Sequence, residues 1–225
     1  MWWGLRMAPV HVRSYSDSMV ALVLSFLLVL STASFAEDAS ALIQRVETHY
    51  AEVEVIDAKF QQRTSSSLYG EDIQQGSVTL KRPMKMRWDF GDKQFVMNGK
   101  TLWVYSIPDK QVLRYDTSGG PVDPMYSLLG SLDKLGALFD ATLVQSDATG
   151  HVIDLTPKGQ AEFKKVRLEL SEALVLRQVS VTNPMGDPVE LVFSEVTLGS
   201  EAPDSRFTFK APEGVEVVDI GALAP

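Results

Sequence analysis

The feature that most constrains the fold is a two-residue alternation of apolar and polar side chains that recurs between residues 55 and 198. In the first such segment, Ile56, Ala58 and Phe60 alternate with Asp57 and Lys59. Alternation of this kind is typical of strands with one buried face. Short turns separate the segments, which predicts consecutive antiparallel hairpins. At Asn98-Gly99 the residue types predict a type I′ turn, because both tolerate positive φ. The eleven predicted strands are 55–63, 72–81, 84–90, 93–98, 101–106, 111–116, 141–146, 151–156, 163–170, 174–183 and 188–198.

Two segments have helical periodicity instead. Asp38 is a candidate N-cap for a helix whose apolar stripe consists of Ala39, Leu42, Ile43, Val46, Tyr50 and Val53. An insert between two groups of strands carries a second stripe, which consists of Met125, Leu128, Leu129, Leu132, Leu135, Leu138 and Phe139. An open sheet of this size must bend or be covered. A closed barrel would leave the helical stripes without a partner. The sequence therefore predicts a mainly β fold, an unclosed antiparallel β-barrel of about eleven strands, with helices over its concave apolar face.

Residues 1–36 have the organisation of a secretory signal peptide. Arg6 and Arg13 precede an apolar run at 20–30, and small residues end at Ala36. A run of this length is too short for the roughly 30 Å core of a bilayer. We therefore expect cleavage after residue 36, a single domain at 37–225 and export. Because the chain has no cysteine, a bacterial periplasm is favoured over a eukaryotic secretory route, where disulfides are common.

The composition and the absent motifs exclude several functions. Zero cysteines exclude a disulfide framework, a thiol nucleophile, a cysteine-built metal site and a lipid anchor attached through cysteine. A net charge of -8, with no basic block, argues against nucleic acid as a partner. His49 and His151 stand alone, and no nucleotide, metal or hydrolase motif occurs. We therefore expect no catalytic residue, no metal, no cofactor and no enzymatic activity.

One strand pair carries an unusually apolar face. Val78 and Leu80, followed by Met84, Met86, Trp88 and Phe90, share one face, while Thr79, Lys85, Arg87 and Asp89 point to the other. Met84, Met86 and Met97 fall in this region, and flexible thioethers suit surfaces that accept variable apolar shapes. The pattern by itself leaves two interpretations open, an ordinary core and a ligand cavity.

Several motifs in this region resemble those of the LolA family of periplasmic lipoprotein carriers. They are Phe60-Gln61-Gln62, the Lys81-Arg82-Pro83 step, the Arg87-Trp88 pair, the Asn98-Gly99-Lys100-Thr101-Leu102-Trp103 hairpin and the closing Phe207-Thr208-Phe209. They occur in the family's order over nearly all of residues 37–225. The resemblance implies an unclosed barrel with a helical lid, and it favours a cavity over a solid core.

The resemblance also implies a function and its partners. Members carry triacylated lipoproteins from an inner-membrane lipoprotein-releasing ABC transporter to an outer-membrane lipoprotein receptor. Arg82 matches the family's lid latch, and residues 125–129 are its expected partner. A monomer is expected, because a shuttle needs its mouth free. The predicted acyl-chain cavity consists of Phe60, Val78, Leu80, Met84, Met86, Trp88, Phe90, Met97, Trp103, Leu128 and Leu129.

Two other functions compete with transport. A half-barrel of this kind can act as a regulatory sensor of mislocalised lipoproteins, although such relatives usually carry a further C-terminal domain. A hydrolase of acyl chains would need a nucleophile and a base, which the sequence does not offer. Met84, Lys85 and Met86 replace residues that vary among members of the family, and one of those positions influences transfer to the receptor, so the handover is the least determined step.

Overall fold

A computed structural model of the chain describes residues 38–66, 70–118, 128–199 and 201–222. The predicted signal peptide at 1–36 and residue 125 of the predicted insert lie outside them. The helices that the structure describes in full are α1 (Ala39–Ala51) and α2 (Leu135–Leu138), residues 128–129 are also α-helical, and 3-10 turns lie at Leu132–Lys134 and Asp204–Phe207. The strands are β1 (Val55–Ser66), β2 (Gly70–Lys81), β3 (Lys85–Asp89), β4 (Lys93–Asn98), β5 (Thr101–Ser106), β6 (Gln111–Asp116), β7 (Phe139–Asp147), β8 (Gly150–Pro157), β9 (Lys165–Leu170), β10 (Leu176–Thr182), β11 (Pro188–Gly199) and β12 (Glu216–Ala222).

All twelve strands form one sheet, in the order β12-β6-β5-β4-β3-β2-β1-β11-β10-β9-β8-β7. Neighbours from β6 to β7 in this order are antiparallel, with β1 pairing both β2 and β11. Among the described residues, β12 and β7 are the two edges and do not pair with each other. The predicted fold class, an unclosed and mainly β sheet with few helices, is confirmed.

The twelfth strand is one that the sequence pattern does not predict. β12 lies parallel to β6, with Glu216 opposite Gln111 and Val218 opposite Leu113. Its pairing is reinforced by two hydrogen bonds between the Arg114 guanidinium and the Asp219 carboxylate. Because β6 and β12 are far apart in the chain, no local hairpin pattern predicts their pairing.

Helix α1 begins and packs as its sequence predicts. The Asp38 carboxylate accepts a hydrogen bond of 2.7 Å from the Ala41 amide, which satisfies one of the free donors of the first turn. Leu42, Ile43 and Val46 are buried in the main hydrophobic core. The helix ends at Ala51, before the predicted stripe reaches Val53.

The second predicted helix is shorter than its apolar stripe suggests. Leu128, Leu129, Leu132 and Leu135 are buried. Within the described residues, 128–129 and Leu135–Leu138 are α-helical, with a 3-10 turn at Leu132–Lys134 between them. Leu138 is exposed, and Phe139 is the first residue of β7, opposite Pro157 of β8. The prediction of one helical stripe through residue 139 is therefore wrong at its end, because strand pairing takes over there.

The hairpin between β4 and β5 differs from its predicted turn. A type I′ turn needs positive φ at both central residues. Gly99 has a φ of +95°, but neither Asn98 nor Lys100 has positive φ. Glycine at the first central position with positive φ is the pattern of a type II′ turn. The Asn98 side chain accepts hydrogen bonds from the Lys100 and Thr101 amides, which holds the loop.

Gly76 of β2 allows a close approach of two backbones. A Cβ atom at this position would lie 1.8 Å from the carbonyl oxygen of Asp89 and 3.1 Å from the ring of Phe60. Since the nearer atom belongs to the backbone, a side chain can be accommodated only by moving β2 away from β3.

We predict that Gly76→Ala lowers the free energy of unfolding by about 1–3 kcal/mol or more, because it forces such a shift. Urea denaturation of the purified protein measures this change. Gly199→Ala is the matched control, since nothing lies within 4 Å of a Cβ at that strand position. Equal stability of the two variants would contradict the prediction.

Candidate functional site

Most of the concave face is solid core. Side chains of α1 and the covering segment at 128–139 pack on residues of the sheet, and its aromatic centre consists of Phe60, Trp88 and Phe90. The ring centroids of Phe60 and Trp88 are 4.8 Å apart, and those of Phe60 and Phe90 are 4.9 Å apart, in edge contacts. Contacts of this kind fill the interior with the protein's own side chains.

A pocket of about 340 Å³ opens at one end of this face. It lies between the adjoining ends of β2, β3 and β4 and the segment at 129–134. Its apolar lining consists of Val53, Ile56, Leu80, Pro83, Met84, Met86, Met97 and Leu129. The polar lining includes Glu54, Lys81, Arg82, Lys85, Ser131, Asp133 and Lys134. An apolar cavity with a few convergent polar groups is the usual form of a ligand site, and this volume lies within the usual range.

The pocket contains about half of the residues predicted from the sequence. Leu80, Arg82, Met84, Met86, Met97 and Leu129 line it. Phe60, Val78, Trp88 and Leu128 are buried in the adjacent core, and Phe90 packs against that core. Sequence reasoning missed Val53, Glu54 and Ile56, which precede or begin β1 and form the side of the pocket nearest α1.

Trp103 lies on the other face of the sheet, so its predicted place in the cavity is wrong. Its strand neighbours Leu102 and Val104 belong to the concave core, and side chains alternate along a strand. The Trp103 ring stacks on Phe209, with centroids 6.3 Å apart. Both faces of β5 carry apolar side chains because the C-terminal segment covers the outer one.

Arg82 joins the rim of the pocket to both covering elements. Its guanidinium lies 3.2 Å from the Asp133 carboxylate, and Nη1 donates to the carbonyl of Ala51, the last residue of α1, at 3.5 Å. Both partners of the ion pair are mostly buried, so it is less screened than a surface pair. The sequence predicts the partner of Arg82 at residues 125–129, of which 125–127 lie outside the described residues. Among the described residues, Arg82 binds Asp133 and the Ala51 carbonyl.

The far end of the same covering segment is held by different residues. The Glu47 carboxylate of α1 accepts a 2.7 Å hydrogen bond from the Gly136 amide, and the Lys158 ammonium donates to the Gly136 carbonyl at 2.6 Å. The segment is therefore held by polar contacts at Asp133 and Gly136, and its leucines at 128, 129, 132 and 135 are buried in the core. Asp133 and Lys134 are the charged residues of an otherwise apolar stretch at 128–139, a signal that could have identified Asp133.

The two lone histidines take no part in this arrangement. The His151 ring is buried and bonds the Ser146 hydroxyl at 2.8 Å, while His49 lies on α1 with its ring edge-on to Tyr50. Within the described residues, no three His, Asp or Glu side chains are grouped as metal ligands. No helix in the same residues is long and apolar enough to cross a membrane.

Tyr50 fixes α1 to the far side of the sheet. Its hydroxyl donates to the Leu174 carbonyl and accepts from the Leu176 amide, each at 3.1 Å. Burial raises the pKa of Tyr50 to about 12, partly offset by the Leu176 amide, so the phenol is neutral at physiological pH. Removing this hydroxyl would leave two buried backbone groups without a partner.

We predict that Tyr50→Phe lowers the free energy of unfolding by about 1–3 kcal/mol, the usual effect of stranding buried polar groups. Chemical denaturation gives the value. The control is Tyr105→Phe, because the Tyr105 hydroxyl has no hydrogen bond to any residue that the structure describes, and its ring packs on Phe209. If Tyr105→Phe lowered the free energy of unfolding as much as Tyr50→Phe, the buried Tyr50 hydroxyl would have no special role in stability.

Comparison with known proteins gives consistent matches over most of the chain. The sequence profile described as "Outer membrane lipoprotein carrier protein LolA" matches residues 51–210. An outer-membrane lipoprotein carrier protein of Pasteurella multocida is 32% identical, covering 85% of this chain and 92% of the relative. Proteins of the same name from Azotobacter vinelandii and Halorhodospira halophila are 29% and 26% identical, covering 85% and 88% of this chain and 96% and 93% of those relatives. A solved LolA superfamily protein of Nitrosomonas europaea is 14% identical, with a TM-score of 0.42 over 77% of this chain and 99% of that one.

Proposed function

The chain belongs to the LolA family of outer membrane lipoprotein carrier proteins, and from that premise we propose that it shelters lipoprotein acyl chains in the pocket beside Arg82. The function is binding and transport, without a chemical reaction. The observation that carries the proposal is an apolar pocket bordered by Arg82, whose guanidinium forms a partly buried ion pair with Asp133 of the covering segment.

The proposed binding residues are those that line the pocket and those that adjoin it. Leu80, Met84, Met86, Met97 and Leu129 provide the first apolar surface for an acyl chain. Phe60, Val78, Trp88, Phe90 and Leu128 lie behind them, packed against one another, and would be reached only when the cover moves outward. Larger cargo, such as three acyl chains, would therefore require the segment at 128–138 to separate from the sheet.

The energetics of this cargo favour a carrier that can close. Each buried methylene contributes about 0.8 kcal/mol, so a sixteen-carbon chain represents roughly 12 kcal/mol. Spontaneous release into water is then negligible. We propose that the carrier accepts lipoproteins from an inner-membrane ABC transporter and passes them directly to an outer-membrane receptor. Closure of the empty carrier lowers its net affinity for acyl chains, which favours the transfer.

The cellular setting follows from the same proposal. Residues 1–36 act as a cleaved signal peptide, residues 37–225 form the carrier domain, and the protein works in the periplasm as a monomer. N-terminal sequencing of the exported protein tests the cleavage after residue 36. Size-exclusion chromatography with light scattering tests the monomeric state.

The first test is a chemical identification of the cargo. We predict that the protein purified from the bacterial periplasm, extracted with detergent and examined by mass spectrometry, releases intact acylated polypeptides. Free fatty acid with no acylated polypeptide would instead indicate a hydrolase or a fatty-acid binder. A protein with Leu80→Glu, which places a carboxylate in the pocket, is the matched control and is expected to lose the cargo.

The second test concerns the latch. We predict that Arg82→Leu still loads lipoprotein but transfers it to the receptor at least about tenfold more slowly, because the open form is no longer disfavoured. Asp133→Asn should have a similar effect, and the double variant should be no worse than either single one, since both remove the same ion pair. Transfer of radiolabelled lipoprotein between purified proteins measures this.

Arg63→Leu is the control for the latch, because Arg63 forms only a half-exposed pair with Glu71 on the β1–β2 hairpin. Normal transfer by Arg82→Leu would refute the latch. Normal transfer by Asp133→Asn alone would assign the latch to the Ala51 carbonyl instead.

A further inference from the structure

A segment on the outer face of the sheet reaches the strands that form the pocket. We call residues 202–207 the outer strap. Ala202 and Phe207 are buried against Val55 in a small cluster of their own. Arg206 donates to the Asp57 carboxylate at 2.9 Å and to the Thr79 hydroxyl at 2.6 Å. The strap is therefore fixed to β1 and β2 independently of its acidic residue.

That acidic residue, Asp204, binds two lysines at once. One carboxylate oxygen lies 2.8 Å from the Lys81 Nζ atom, and the other lies 2.8 Å from the Lys85 Nζ atom. Lys81 also donates to the Ala202 carbonyl at 2.7 Å. Hydrogen bonds from Lys81, and next from Lys85, lower the pKa of Asp204 to about 2, so the carboxylate is charged throughout the physiological range.

The two lysines occupy a position where like charges oppose each other. Lys81 is the last residue of β2 and Lys85 the first of β3, and they face each other directly across the ladder. Like charges in directly opposite positions destabilise a strand pair. Asp204 lies between the two ammonium groups and converts this repulsion into two attractive contacts.

The turn between these lysines carries the functional residues. Arg82, Pro83 and Met84 connect β2 to β3, and all three line the pocket together with Lys81 and Lys85. Met84 adopts a φ of +52°, an unusual conformation for a residue with a side chain, so the turn depends on its surroundings. The spacing of the two lysines thus determines where the turn presents the Arg82 guanidinium to Asp133.

We propose that Asp204 is a positioning residue for the pocket: by joining Lys81 to Lys85 on the outer face, it holds the 82–84 turn in the closed arrangement. This inference rests on the proposed function of the pocket. The lysine side chains are only 19% and 23% exposed, whereas that of Asp204 is 66% exposed. A cationic group of a partner protein could therefore reach Asp204 from outside and loosen the rim without touching the cavity.

The test is the access of a neutral apolar fluorophore, N-phenyl-1-naphthylamine, to the pocket of the purified full chain. Asp204→Asn should increase the affinity for the probe by about three- to fivefold, since two ion pairs are lost and the lysines repel each other. Lys85→Gln in the same protein should return the affinity to within about twofold of wild type, because the repulsion is removed. If the role of Asp204 were purely structural, the added Lys85→Gln substitution would not return the probe affinity toward the wild-type value.

Glu195→Gln is the matched control, since it breaks an exposed ion pair with Lys59 elsewhere on the sheet. Far-UV circular dichroism confirms that each variant is folded. Wild-type probe affinity in Asp204→Asn, or no suppression by Lys85→Gln, would overturn the inference. The result is separable from the proposed function, because probe access is measured without lipoprotein, whereas the cargo is identified by extraction from cells.

Discussion

The rest of the structure depends on the burial of one apolar sheet face. The sheet has two unpaired edges among the described residues, so its concave side chains leave water only where another element lies on them. Helix α1 and the segment at 128–139 provide that cover through Leu42, Val46, Leu132 and Leu135, each essentially buried. At about 1.5–3 kcal/mol for a fully buried aliphatic side chain, these contacts dominate the attachment of the cover.

The cover is not attached in the same way along its whole length. Where Leu128, Leu132 and Leu135 face the sheet, the interior is filled and offers no space to a ligand. At the mouth, around Arg82 and Asp133, apolar contacts give way to a pocket and to ion pairs. Partly exposed ion pairs contribute about 1 kcal/mol or less, far below the apolar contacts. The ion pair at Asp133, unlike the hydrogen bonds at Gly136, borders the pocket, and it can be broken and remade there with little energy.

Local sequence pattern predicted the strands because the period of two is a property of the extended backbone and is readable in each segment separately. It failed where the outcome depends on distant residues. The sequence of β12 does not predict a strand without its partner β6. The type of turn at Gly99 depends on which residues of β4 and β5 form the last pair before the turn. Trp103 shows the limit most clearly. Alternation assigns Leu102 and Trp103 to opposite faces, but the cover of the outer face includes Phe209, about a hundred residues away in the chain.

The same limit applies to the site. Leu80, Met86 and Met97 could be assigned to one face from alternation, and they do line the pocket. Alternation could not separate them from Phe60 and Trp88, which have the same periodicity but fill the core. That division is made by the cover: Leu128, Leu132 and Leu135 are buried in the core, whereas residues 129–131 and 133–134 line the pocket.

If acyl chains bind beside Arg82 as proposed, the polar contacts of the rim can adjust affinity but cannot expel cargo. A closed state favoured by about 1.4 kcal/mol lowers the apparent affinity tenfold, since the binding-competent fraction falls by the same factor. The Arg82–Asp133 ion pair and the two lysines bridged by Asp204 can together lower the apparent affinity by at most a few such tenfold factors. A single sixteen-carbon chain contributes roughly 12 kcal/mol, which is several times more. The acyl chain must therefore pass directly from the pocket to an apolar surface of the receiving protein. The rim of the pocket determines which of these two surfaces holds the acyl chain.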